Sequence, residues 1–92
     1  MSQAHFRAVV LALRQPAAAP TERELEVAYL TIIDGRTLKE AAEELGVAAG
    51  TAKAHLGRFA VKLGMPVREC RRVLPRAYWS SRVDPPGIAG TT

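Results

Sequence analysis

Residues 37–64 read TLKEAAEELGVAAGTAKAHLGRFAVKLG, two short amphipathic segments separated only by Gly46 to Ala49. At about 100° per residue, Ala52, Leu56, Phe59 and Leu63 of the second segment fall on one narrow apolar stripe, so a helix is predicted over 50–64 with that stripe inward. Gly50, Ala54, Gly57 and Val61 lie opposite, with Lys53 on one flank and Thr51, Arg58 and Lys62 on the other. A smooth ridge edged by cations suits a DNA major groove, where the helix must approach base edges while flanking charges meet phosphates. A merely solvated basic face is the alternative, because charged helix faces are common.

The first segment opens with Thr37-Leu38-Lys39-Glu40, a capping-box pattern, and turns Leu38, Ala41, Ala42 and Leu45 inward before Gly46. Ala42, Gly46 and Val47 then hold the positions of a helix-turn-helix. Alanine lets the two helices touch, and glycine supplies the positive φ of a sharp turn. Upstream, Thr21-Glu22-Arg23-Glu24 repeats the capping box and predicts a further helix. Its buried stripe is Leu25, Ala28, Tyr29 and Ile32, widened by Val27, Leu30 and Ile33, and Asp34-Gly35 is its left-handed stop.

Outside this unit, Phe6, Val9, Val10 and Leu13 predict an amphipathic helix over 2–14, and the prolines of QPAAAP (15–20) make it an appendage. After Gly64, Pro66 starts a last helix with Val67, Cys70, Val73 and Leu74 on one side and Arg68, Arg71 and Arg72 on the other. Pro75 is expected to end or kink it. Tyr78 and Trp79 either fold back on the core or offer a partner site, and Ser80 to Thr92 has too little apolar content to order itself. The expected division is 1–20 for the first helix and spacer, 21–79 for the helix-turn-helix domain and 80–92 for a tail.

A chain of 92 residues, 48% hydrophobic and 24% charged, holds one small core. With 5% aromatic residues and glycine and proline mostly at element ends, the expected class is all-α. The net charge of +4 is segregated: 21–46 carries seven acids against three bases, whereas 51–82 carries eight bases against Glu69 alone. This raises the local potential where an anionic polymer would dock. Cys70, the one cysteine, excludes an internal disulfide, and no apolar run could span a bilayer. The N-terminus lacks the order of a signal peptide, so a cytoplasmic setting without membrane contact is expected.

Residues 21–65, about half the chain, resemble the DNA-binding domain of LuxR-type (GerE- and NarL-like) transcription regulators. Thr21, Arg23 and Glu24 fit that family's opening motif, and Lys39-Glu40 with Ala42 fit its scaffold helix. Gly50-Thr51, Lys53, His55, Lys62, Leu63 and Gly64 fit its recognition helix. The resemblance implies a small helical bundle with a three- or four-helix helix-turn-helix, here with an extra N-terminal helix. It also implies a recognition helix in the major groove and a last helix that pairs two subunits.

On this resemblance Lys53, Ala54 and Gly57 face base edges, and Thr51 and Lys39 meet phosphates. Arg58 and Lys62 are added to the phosphate contacts as flanking cations. Lys53 can donate to guanine O6 and N7, and Ala54 can touch a thymine methyl. Val67, Cys70, Val73 and Leu74 become the dimer strip, with closure of the monomer's own core as the alternative. Gly57 departs from the family, where a longer polar side chain is common, and Ala48 stands where a capping Ser or Thr is usual, a loss of about 1 kcal/mol. Ala52 replaces a larger aliphatic residue and Pro20 a leucine, which leaves thinner contacts for the N-terminal helix to fill.

No catalytic, cofactor or metal site is expected. His55 projects near the edge of the buried stripe, His5 lies far from it in sequence, and no Cys or carboxylate cluster has ligand spacing. Glu40, Glu43 and Glu44 read as a solvated face. No receiver or ligand-binding domain precedes residue 21, so control is expected from abundance, oligomerisation or a partner at 1–15 or 66–82. Three function classes follow. The first is a sequence-specific regulator on double-stranded DNA. The second is a module like the fourth region of sigma factors, which also binds RNA polymerase. The third is a protein-interaction adaptor without DNA binding, motivated by Gly57 and Ala48.

Overall fold

The computed structural model describes residues 3–13 and 19–83, all of whose regular elements are helical. Helix α1 spans Gln3–Leu13, α2 Glu22–Ala28, α3 Leu38–Leu45, α4 Ala49–Leu63 and α5 Val67–Val83. The all-α class is as expected. Both capping boxes form: Thr21 Oγ1 accepts the Glu24 N–H while Glu24 Oε1 accepts the Thr21 N–H, and Thr37 and Glu40 repeat the exchange. Each pair satisfies two donors that a helix start leaves without intrahelical partners.

Helix α2 does not end at Ala28 but widens into a π turn over Tyr29–Ile33. The Asp34 N–H reaches back five residues to the Tyr29 carbonyl, and the Arg36 N–H six to that of Leu30, both at 2.9 Å. Gly35, at φ 77°, makes the reversal. The expected stop is therefore at the expected place, on a wider turn than the apolar pattern implies.

The core is centred on Phe6. Its ring lies 5.7 Å from Tyr29, 6.1 Å from Phe59 and 6.2 Å from Tyr78, so α1, the π turn, α4 and α5 meet in one aromatic cluster. Phe6 and Val10 are wholly buried. The N-terminal helix is thus part of the core and not an appendage. Burial of one such ring stabilises by roughly 1.5–3 kcal/mol, which a small domain with few aromatics has few other ways to obtain.

Of the outcomes expected for α5, an end at Pro75 and a tail from Ser80 are corrected. The helix runs through Pro75 to Val83, although an interior proline removes one backbone bond and costs about 3 kcal/mol. Cys70, Leu74 and Tyr78, four residues apart, are all buried beneath it, and this anchoring on both sides of Pro75 keeps the helix continuous. Residues 80–83 belong to α5 and not to a tail. Residues 84–92, like 14–18 of the spacer, lie outside the described residues.

Candidate nucleic-acid interface

Helices α3 and α4 pack against each other across a tight turn at Gly46. Gly46 takes φ 70° and ψ 34°, and its N–H and that of Val47 return to the carbonyls of Glu43 and Ala42 at 3.3 and 3.0 Å. Ala42 is buried in the core cluster, against which Val47 packs. Helix α4 starts without a side-chain cap at Ala48, whose carbonyl accepts the Ala52 N–H.

Along α4, Ala52, Leu56, Phe59 and Leu63 are buried as the spacing predicts, and Ala60 joins them. Gly50, Thr51, Lys53, Ala54 and Arg58 are exposed, Gly57 is half-buried, and Val61 has 79% of its surface open. A Cβ added at Gly50 or Gly57 would meet nothing within 4 Å. The ridge therefore has open space above it. Lys39 is exposed on α3. Near its far end the ridge runs into a shallow depression lined by Gly57, Val61, Gly64, Pro66 and Val67.

Lys62 is not a free cation beside this ridge. Its Nζ lies 2.8 Å from Oε1 of Glu24, a residue with 2% of its surface exposed, and 3.3 Å from the Ala19 carbonyl. Burial raises the pKa of the Glu24 carboxyl. The Lys62 hydrogen bond, the Thr21 N–H and the charges of Lys62 and Arg58 outweigh it, and the result lies below the usual glutamate value. The expected phosphate contact is a structural ion pair, a correction that follows from the need to neutralise a buried carboxylate. Sequence reasoning missed it because the partners are 38 residues apart. The acidic capping position on an otherwise apolar face is the one local hint.

The expected dimer strip is corrected in part. Cys70 and Leu74 are wholly buried in the core, while Val67 and Val73 are half-buried. Cys70 and Leu74 close the monomer's own core and Val67 packs against it, whereas Val73 is not part of that cluster. A second signal was also missed: Arg36 bridges Asp34 and Glu44, tying the turn after α2 to α3, so Glu44 is not simply solvated. His55 is half-buried with its Nδ1 buried and unbonded, and His5 stacks edge-on with Tyr78 at 4.9 Å. No group of three or more potential metal ligands occurs among the described residues. None of their helices is long and apolar enough to cross a membrane.

Comparison with protein-family models, curated proteins and solved structures gives no match.

Proposed function

We propose that the chain is a DNA-binding transcription regulator of LuxR type that lays the exposed ridge of α4 in the major groove of double-stranded DNA. The observation that carries this is the open ridge Gly50, Ala54, Gly57 and Val61 flanked by exposed Lys53, Thr51 and Arg58, on a helix fixed by a tight turn to α3. Small residues permit close approach to base edges, and Lys53 is the side chain able to donate to a guanine edge. Thr51, Lys39 and Arg58 supply phosphate contacts. With Lys62 withdrawn, Lys39 and Arg58 neutralise about two phosphates per domain, and log K falls with log salt at a slope of roughly −2.

A titration of labelled duplex at several salt concentrations tests the proposal. The absence of duplex binding at low salt refutes it. One observation favours a second reading as an interaction adaptor: the exposure of Val61 beside the depression at Gly64 and Pro66 gives the ridge an apolar end that suits a protein partner. Retained binding of a protein partner with no duplex affinity would establish that reading instead.

A further inference from the structure

Helix α5 carries a second cationic surface that the α4 ridge does not use. Arg68, Arg72 and Arg76 recur every four residues and Trp79 follows three later, which places all four within an arc of about 80°. Arg71 flanks them. All of these side chains are exposed, and among the described residues only Arg72 has a carboxylate neighbour, Glu69 at 3.7 Å. Trp79 is 46% exposed, and its ring meets Tyr78 edge-on at 5.0 Å. Helix α4 packs chiefly on α2 and α3, whereas α5 packs chiefly on α1 and the π turn.

We infer that the outer face of α5 binds single-stranded nucleic acid. Like charges exclude a second copy of the same face, because a two-fold pairing would set arginine against arginine. Charge complementarity selects a polyanion. The tryptophan selects its form, since a duplex offers its outside only phosphate and sugar, whereas a single strand exposes base faces on which indole and guanidinium stack. From Arg68 to Trp79 the helix rises about 16 Å, the reach of a few nucleotides. Arginines on successive turns meet phosphates and Trp79 takes a base. The inference is independent of what α4 does.

The test uses the full chain and its one tryptophan as the reporter. An oligothymidylate of about 15 nucleotides, added at low salt, is expected to quench Trp79 emission. Arg72→Glu/Arg76→Glu is expected to lower this affinity at least about tenfold while leaving duplex affinity within about threefold, and Lys53→Ala to do the reverse. Arg72→Gln/Arg76→Gln, which introduces no repulsion, serves if the double glutamate variant loses its helical spectrum, with an expected loss of about fivefold. Absence of quenching overturns the inference, as does an equal response to polyglutamate of matched charge. So does single-strand affinity unchanged in a folded arginine variant, or lost in parallel with duplex affinity in Lys53→Ala. Loss of duplex binding alone refutes the proposed function and leaves this surface standing.

Discussion

Oε1 of Glu24 accepts two hydrogen bonds at once, from the Thr21 N–H at 3.0 Å and from Lys62 Nζ at 2.8 Å. One carboxylate oxygen therefore closes the capping box at the head of α2 and ties it to the last turn of α4. This pair adds a polar tie to the buried apolar packing between α2 and α4.

Lys62→Ala is expected to cost about 2 kcal/mol of stability, because it leaves the buried Glu24 charge with only its capping bonds. Chemical denaturation measures the loss. The salt slope of duplex binding by the folded variant is expected to stay unchanged. A shallower slope at unchanged stability would return Lys62 to the phosphate contacts.

The lowered pKa of Glu24 fixes a pH dependence. Its contribution is complete above the ordinary glutamate value, about 4.3, and disappears as pH falls through the lower folded-state value. Stability is expected to decline on that acid limb, and Glu24→Gln to be less stable near neutrality with a flatter limb. Thermal melts from pH 7 downward measure both; an unchanged limb in the variant would contradict the assignment.

Lys53 and Arg58 are expected to separate base reading from phosphate contact. Lys53→Ala costs about 1–3 kcal/mol on the preferred duplex and relaxes one base-pair preference, whereas Arg58→Ala weakens all duplexes alike and reduces the salt slope by about 1. Equal losses on preferred and random duplex for Lys53→Ala would make it a phosphate contact too.

Gly57 has room for a side chain and no backbone need for glycine. Gly57→Ala is expected to stabilise the domain by up to about 1 kcal/mol, the helix-propensity difference. Gly57→Glu is expected to fold and to abolish duplex binding by placing an anion on the ridge. Circular dichroism and anisotropy read the two effects, and a Gly57→Glu variant that binds normally would move the interface off this face.

Leu74→Ala is expected to destabilise by about 2–5 kcal/mol through a core cavity. Because Leu74 is enclosed within one copy, its melting midpoint should not depend on protein concentration. A midpoint rising with concentration in wild type and flat in the variant would restore the dimer strip.

What was legible in the sequence was local. The capping boxes at Thr21 and Thr37, the glycine reversals at Gly35 and Gly46 and the Ala52-Leu56-Phe59-Leu63 stripe each lie within a few turns of one helix, where spacing fixes geometry. The π turn was not legible, because Tyr29 to Ile33 keep an apolar pattern that either turn width buries. The run of α5 past Pro75 depends on Tyr78 finding Phe6 and Tyr29, which no spacing within α5 states. The destinations of Lys62 and Cys70 were likewise decided by distant partners. Side-chain exposure on α4 could be read from periodicity; which base or phosphate each side chain meets is a property of the complex.

The contact between Phe6 and Tyr78, their rings 6.2 Å apart, joins the first helix to the last. During synthesis α1 emerges from the ribosome long before α5, with a phenylalanine and two valines that have no complete surface to cover them. The capping boxes and the α3–α4 turn can form as they appear, but the aromatic cluster cannot close until residue 78 is free. Folding on the ribosome is therefore expected to finish late and in one step, with the exposed face of α1 as the segment a chaperone would hold meanwhile.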